Sequence, residues 1–146
     1  EKSCNSIIPK YGKLNNQDKD LTQDLTNKIS DLKKLMNNQE LNQYIKEVIN
    51  FSFKSNKYFN DLKPWDLKKS NPDRMNTVIY VVLNQIRSIS ILLNPIIPNS
   101  TEKILSCLNI KKADITIDNL LNTEFLKPGM KIMKPNILFK KIDNDN

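Results

Sequence analysis

The residue in this sequence best suited to chemistry is its only tryptophan, Trp65, which directly follows Pro64. Lysines lie on both sides of it, at positions 54, 57, 63, 68 and 69. An indole can stack on an unpaired nucleobase, which contributes about 1 to 3 kcal/mol per base, while neighbouring ammonium groups contact phosphates. The same residues could instead plug the end of a helical bundle, with the lysines on a solvated face. Residue types alone favour the plug.

The remaining side chains offer little for catalysis. Histidine is absent from the sequence, which removes the commonest general base and a common metal ligand. The two cysteines, Cys4 and Cys107, are far apart and neither belongs to a CxxC pair, so we expect neither a structural metal nor a disulfide scaffold. Gly12 and Gly129 cannot form a glycine-rich phosphate loop. We therefore expect no catalytic residue, metal or cofactor in this segment.

Positive charge is concentrated in two stretches of a chain whose net charge is +7. Residues 54–74 carry six basic and three acidic side chains, and residues 127–141 carry five basic and no acidic ones. Localised positive charge favours a polyanionic partner, because neutralising phosphates releases counterions. However, 21 of the 23 basic residues are lysine in a chain rich in Asn and Ile, which is also typical of AT-rich codon usage.

Apolar residues recur at spacings of three and four along most of the chain, which predicts an all-α helical bundle of at least four helices. The 146 residues suit one domain. Helices are predicted at about 17–36, 38–63, 72–93 and 100–108, and residues 109–146 are predicted to form an irregular C-terminal strap.

The ends and buried faces of these helices are also predicted. Asn37 with Glu40, and Asn99 with Glu102, have the spacing of a capping box, and Asn71 precedes a proline suited to a first helical turn. Pro64 is expected to stop the second helix, with residues 65–70 as a connector. The stripe expected to be buried on the second helix is Leu41, Ile45, Val48, Ser52, Ser55, Phe59 and Leu62.

The longest apolar stretch, residues 78–97, is predicted to be a buried helix and not a membrane span. It contains Asn84, Gln85 and Arg87, and a single arginine at the centre of a span costs about 2.5 to 3.5 kcal/mol on insertion scales. We therefore expect no membrane partner.

The order of several motifs resembles the anticodon-binding domain of the methionyl-tRNA synthetases. The match extends over nearly the whole chain without large gaps, and the Lys-Pro-Trp context distinguishes it from the similar domains of the Leu, Ile, Val and Cys enzymes. The motifs are Asn56-Lys57-Tyr58-Phe59, Lys63-Pro64-Trp65, Asn71-Pro72-Asp73-Arg74-Met75, Thr77-Val78-Ile79-Tyr80, Ile91-Leu92-Leu93-Asn94-Pro95-Ile96-Ile97-Pro98, Pro128-Gly129-Met130-Lys131-Ile132 and Leu138-Phe139.

The resemblance implies that residues 1–146 form an anticodon-binding domain whose partner is the anticodon loop of tRNA(Met). Trp65 would stack on the first anticodon base, and Pro64 would fix the helix end that presents it. The lysines at 127–141 would belong to the strap, which returns towards the catalytic domain. The residues expected to contact phosphates are Lys57, Lys63, Lys68 and Lys69.

A further expectation concerns the helix that opens the bundle in this family. It would lie upstream of Glu1, together with an Asn and an Arg that also read the anticodon in the family. The remaining bundle should therefore show an apolar groove where that helix would pack.

Asn56 is expected to have a structural role. A buried Asn on a helix needs a hydrogen-bond partner, and we expect that partner in the connector around Trp65.

The parent protein implied by the resemblance attaches methionine to tRNA(Met) in a separate Rossmann-type domain, using ATP with Mg. The nucleotide-binding motifs of that domain and the family's zinc-bearing region are missing here, so this chain is expected to be a piece that binds and does not catalyse. The alternatives are the equivalent domain of another class I synthetase, or a helical protein-interaction or scaffold module. A cytoplasmic location is expected, with a mitochondrion or plastid-type organelle as the alternative.

Overall fold

The computed structural model describes residues 7–120 and 126–132, and the predicted all-α class is confirmed. Within those ranges the chain forms five α-helices and two short 3-10 helices. The α-helices are α1 (Asn16–Asn37), α2 (Leu41–Leu62), α3 (Pro64–Ser70), α4 (Pro72–Leu93) and α5 (Pro98–Cys107). The 3-10 helices are Lys112–Asp114 and Ile117–Leu120.

Helix α1 begins at a capping box that the sequence analysis did not identify. The Asn15 side chain accepts a hydrogen bond from Asp18 N at 3.0 Å, and Asn15 N donates to Asp18 Oδ2 at 3.0 Å. The box predicted at Asn37 and Glu40 was wrong. Asn37 is the last residue of α1, and Glu40 precedes α2 without a side-chain cap bond, because residues 38–40 turn the chain with Gln39 at φ 60°.

The buried face of α2 differs from the predicted stripe. Its buried residues are Tyr44, Val48, Phe51, Ser55 and Tyr58, whereas Leu41 and Ser52 are exposed. Large aromatic rings bury more apolar area than serines, and phenol groups can be buried when they find an acceptor. Tyr44 Oη donates to Leu92 O at 2.5 Å, which meets that condition. The helix is therefore rotated relative to the prediction.

Residues 64–70, predicted as a connector, form helix α3. The chain reverses at Lys63, whose φ of 44° and ψ of 62° lie in the left-handed region, and the fixed φ of Pro64 then starts the new helix. Asp66 in the first turn and Lys68 and Lys69 in the last turn complement the helix dipole. The predicted connector is thus a short helix.

Helix α4 is the centre of the bundle and contacts all four other α-helices. Its predicted start is confirmed, since the Asn71 side chain accepts from Arg74 N at 3.1 Å and Pro72 occupies the first turn. By length and composition it could cross a membrane, but 61% of its most apolar window is buried within the bundle. Asn84, Gln85 and Arg87 are buried in it as well, so it is a core helix.

Helix α5 starts at Pro98, two residues earlier than predicted. Asn99 and Glu102 form no capping box, because Pro98 already opens the helix and Ile97 is the N-cap. Instead Thr101 Oγ1 donates back to Ile97 O at 2.9 Å.

The described part of the strap crosses α4 and meets the start of the chain. Leu126 is buried there: its N–H donates to Asn84 Oδ1 at 2.9 Å, and its carbonyl accepts from Tyr80 Oη at 2.8 Å. Ile8 exchanges backbone hydrogen bonds with residues 129 and 130, and Ile7 pairs with Lys131 in an antiparallel bridge. Cys4 and residues 133–146, the end of the predicted strap, lie outside the described residues.

One buried carboxylate joins three helices. Asp18 on α1 is fully buried and receives two hydrogen bonds from Arg74 on α4, at 2.6 and 2.8 Å, and one from Tyr58 Oη on α2, at 2.6 Å. Bidentate arginine–carboxylate contacts are among the stronger ion pairs, and they are favourable in a buried position only when the remaining lone pairs are satisfied. Here Asn15 N supplies a fourth donor.

The protonation states of this cluster follow from its contacts. Burial by itself raises the pKa of Asp18, but the hydrogen bonds from Arg74, Tyr58 and the Asn15 backbone outweigh it and hold that pKa below its usual 3.8. Burial, reinforced by the neighbouring carboxylate, raises the pKa of the Tyr58 phenol far above its usual range. At neutral pH Asp18 is therefore ionised, and the Tyr58 phenol stays protonated and donates a hydrogen bond to it.

We expect Asp18→Asn to lower the free energy of unfolding by about 3 kcal/mol at neutral pH, because the substitution leaves Arg74 without its anionic partner. Since the pKa of Asp18 is lower in the folded than in the unfolded state, its contribution is complete above the unfolded value of about 3.9 and disappears as pH falls through the folded value. Urea unfolding of both proteins should give a constant difference above about pH 5 that narrows below about pH 4.

The matched control is Asp31→Asn, which removes an exposed carboxylate 3.9 Å from Lys28. Exposed pairs contribute little, so this variant should follow wild type at every pH. An Asp18→Asn difference that stays unchanged down to about pH 3 would contradict the assignment of an ionised, stabilised Asp18.

Candidate nucleic-acid interface

Trp65 lies in the first turn of α3, and its side chain is available to a ligand. The residue is 52% exposed, whereas Pro64, directly before it, is buried and anchors the helix start. The left-handed turn at Lys63 sets the angle between α2 and α3, and with it the direction of the indole. An exposure of this size is what base stacking requires and what a bundle plug would lack.

The covered part of the indole is in contact with α2. The rings of Phe59 and Trp65 are 5.5 Å apart between centroids and tilted by 60°. Tilted aromatic pairs of this separation are favourable beyond their buried area. Phe59 therefore supports one part of the indole and leaves the rest accessible.

Trp65 also lines a long apolar groove between α2, α4 and α5. The groove has a volume of about 710 Å³, and its lining contains no charged side chain among the described residues. The apolar groove expected from the resemblance is thus present. Its lining is Ser52, Ser55, Asn56, Phe59, Pro64, Trp65, Ile79, Val82, Leu83, Ile86, Ile89, Ser90, Leu93, Ile97, Thr101, Ile104 and Ile132.

The predicted phosphate-binding lysines are all exposed, but they differ in their contacts. Lys57 Nζ lies 2.6 Å from Asp61 Oδ2, one turn along the same helix, in a pair exposed to water. Within the described ranges, Lys63, Lys68 and Lys69 form no ion pair. These three carry uncompensated positive charge on or next to α3, and Asp66 is the one acidic residue of that helix.

Two other basic positions are less available. Lys54 lies 3.6 Å from Asp24 and over the Phe51 ring, so it supports the α1–α2 contact. Lys127 and Lys131 of the strap are exposed, and Lys131 is next to the start of the chain. The other strap lysines lie outside the described residues.

Asn56 is not buried, so the premise for its structural role was wrong. It is exposed on the groove wall and, among the described residues, its side chain makes no hydrogen bond. The rotation of α2 explains this, since Tyr58 and Ser55 take the core face and turn Asn56 towards the groove. An amide with free donors and acceptors next to Trp65 is available to a ligand.

Sequence reasoning did not identify Asp18, Tyr58 and Arg74 as a cluster. Only the spacing of Asn15 and Asp18 carried a signal, since an Asn followed three residues later by an acid is typical of a helix start. The contacts to residues 58 and 74 join positions 40 and 56 residues away in sequence, which no local pattern specifies.

Together these features suit an unpaired nucleobase held near a phosphate backbone. The exposed indole supplies a stacking surface, and the lysines that form no ion pair within the described part of the chain are suited to phosphates. Among the described residues there is no group of three His, Cys, Asp or Glu side chains that could hold a metal ion. The arrangement supports binding chemistry.

Comparison with known proteins gives a consistent result. A sequence profile described as the anticodon binding domain of methionyl tRNA ligase matches residues 8–146. The methionine–tRNA ligase of Rickettsia felis is 35% identical over 111 residues, which cover 76% of this chain and 22% of that protein. The enzyme of Pyrococcus abyssi is 29% identical over 141 residues, which cover 95% of this chain and 19% of that protein.

Solved structures agree in fold. The methionyl-tRNA synthetase of Mycobacterium tuberculosis in its free state superposes with a TM-score of 0.88 at 23% identity, over 95% of this chain and 28% of that one. Its complex with methionyl-adenylate gives the same TM-score. The chain therefore spans about a fifth to a quarter of the length of these relatives.

We expect Ile86→Lys to reduce the binding of an apolar fluorescent dye without unfolding the domain. Ile86 lines the groove and is 38% exposed, so a lysine there can extend its ammonium group into water while placing charge at the apolar surface. The free energy of unfolding should change by less than about 1 kcal/mol. Dye titration and thermal melting measure the two effects.

Leu41→Lys is the control, because Leu41 is 44% exposed and lies at the start of α2 outside the groove. It should match Ile86→Lys in melting temperature and leave dye binding at the wild-type level. Equal dye binding by all three proteins would show that the groove is not an accessible apolar surface.

Proposed function

We propose that this chain, which belongs to the family of anticodon-binding domains of methionyl-tRNA ligase, binds the anticodon loop of tRNA(Met) through Trp65. The indole receives the first anticodon base, and Pro64 fixes the helix turn that presents it. Lys63, Lys68 and Lys69 contact the phosphates on either side. Lys57 joins them after exchanging Asp61 for a phosphate, since an exposed ion pair is weak.

The observation that carries this proposal is the half-exposed indole beside three lysines without ion-pair partners among the described residues. A buried ring would have been an ordinary core residue, and a lysine-free surface would have had no attraction for phosphate. The exposed Asn56 amide on the same wall adds hydrogen-bonding capacity next to the stacking surface.

We assign recognition to this chain and catalysis to the rest of the parent protein. In that assignment the full-length ligase uses ATP, with Mg, to activate methionine and transfers it to tRNA(Met) in a separate catalytic domain. Support comes from the relatives, which are methionine–tRNA ligases, and from the short share of their length that the chain spans. The strap, residues 109–146, would connect the bundle to that domain.

The apolar groove has a proposed occupant of its own, a helix that precedes Glu1 in the full-length protein. Ile7, close to the start of the chain, pairs with Lys131, and the next residue, Ile132, lines the groove. A segment preceding Ile7 would therefore begin close to the groove. The rival to the RNA-binding function is a scaffold module in which the same groove binds a helix of another protein.

We expect this protein to bind an RNA hairpin carrying the anticodon CAU, with partial preference over hairpins with other anticodons. Because lysine–phosphate contacts release counterions, the logarithm of the binding constant should fall linearly with the logarithm of salt concentration, by about 0.7 per neutralised phosphate. Fluorescence anisotropy of labelled hairpins at several salt concentrations measures both effects. Negligible binding of every hairpin at low salt would instead favour the scaffold function.

We expect Trp65→Ala to weaken hairpin binding by about 1 to 3 kcal/mol with little change in melting temperature, because the indole is half-exposed and stacks on a base. Trp65→Phe is the matched control, since it keeps an aromatic face and should recover part of the affinity. If Trp65→Ala instead unfolds the domain, at the roughly 3 to 5 kcal/mol typical of a lost core ring, then the plug interpretation is correct.

A further inference from the structure

Helix α3, which carries Trp65, packs along α4 but buries few of its own side chains. Pro64 is its one buried residue and Leu67 is half-buried, while the other five are exposed. A helix of seven residues is too short to be stable alone in water. The position of the indole therefore depends on the packing of α3 against α4 and on how the chain is held at the two ends of this segment.

Both ends of the segment are held by the same carboxylate. Tyr58, five residues before Lys63, donates a hydrogen bond from Oη to Asp18 Oδ1 at 2.6 Å. Arg74, four residues after Ser70, donates from Nη1 to Asp18 Oδ2 at 2.6 Å and from Nη2 to Oδ1 at 2.8 Å. Residues 59–73, with Trp65 near their middle, thus form a loop closed through one side chain.

Asp18 is itself fixed in place. It is fully buried and belongs to the capping box with Asn15 at the start of α1, so neither its backbone nor its side chain can move independently of that helix. Its partner Tyr58 belongs to one core cluster with Leu21, Val78 and Val81. The closing contact is therefore tied to the core of the bundle.

We propose that Asp18, Tyr58 and Arg74 form a positioning brace that holds α3 so that Trp65 is ordered before RNA binds. This inference rests on the proposed function, to which it adds the residues that prepare the stacking surface. Ordering a side chain on binding costs about 0.5 to 1.5 kcal/mol, so a surface that is ordered beforehand binds more tightly. None of the three residues contacts RNA in this proposal.

A purely structural role predicts something different. Loss of a structural ion pair lowers the melting temperature, but well below that temperature the remaining folded molecules keep the native indole environment and full affinity. Loss of a positioning brace changes the mobility of Trp65 in molecules that are still folded. Because Trp65 is the single tryptophan of the chain, its fluorescence reports this mobility directly.

The test uses Tyr58→Phe, which removes one hydrogen bond and keeps the ring, and Arg74→Lys, which keeps the charge and loses the two-pronged contact. In both we expect faster anisotropy decay of Trp65 fluorescence and greater quenching by acrylamide, measured well below the melting temperature. Affinity for the CAU hairpin should fall by about three- to tenfold. Two variants are used so that the result does not depend on the folding of either one.

The control is Ile29→Val or Ile29→Ala, whichever matches the brace variants in melting temperature. Ile29 is buried in a different core cluster, so its substitution weakens the fold without touching the brace. This variant should keep the wild-type fluorescence decay and hairpin affinity. Rescue is checked with saturating hairpin, which should restore slow anisotropy decay in Tyr58→Phe.

If the brace variants behave like the Ile29 control, the proposal is wrong. If Trp65 becomes mobile but hairpin affinity does not fall, the proposal is also wrong, because ordering then has no part in binding. The Trp65→Ala variant separates these results from a failure of the proposed function. If Trp65→Ala loses affinity for the hairpin and the brace variants do not, base stacking by Trp65 is supported and the positioning brace is rejected. If no variant loses affinity, base stacking by Trp65 is rejected as well.

Discussion

The buried carboxylate of Asp18 is the contact on which this end of the bundle depends. Three helices that are distant in sequence meet at two oxygen atoms, and the four donors come from three separate parts of the chain. A buried charge is unfavourable unless it is fully paired, so the helices are stable in this arrangement and in few others. The apolar face of α4 supplies more of the buried apolar side chains than any other helix, while this charged contact selects one geometry.

The sequence predicted the parts of the fold that local patterns determine. The Asn71–Pro72 start of α4 and the extent of α1 agree with the structure because caps, prolines and helical periodicity act within a few residues. The rotation of α2 was mispredicted because two of its core residues are tyrosines, whose burial depends on acceptors in other helices. Helix α3 was missed because seven residues give too little periodicity to recognise.

In the candidate site, too, local patterns predicted some features, and others depended on tertiary contacts. Residue types drew attention to Trp65 and its lysines but favoured a bundle plug over an exposed platform, because exposure depends on how α3 is oriented against α4. Asn56 was expected to be buried and is exposed, because the face of α2 was misjudged. The groove was expected from a family resemblance and not from spacing, because a concave surface arises only when three helices are assembled.

The pairing of Ile7 with Lys131 brings the described beginning and end of the chain together at one place on the surface. The two backbone hydrogen bonds of Ile8 act there as a clasp between the two segments. The clasp couples the described beginning of the chain to Ile132 and so to the groove wall, and a displacement of one segment is therefore transmitted to the other.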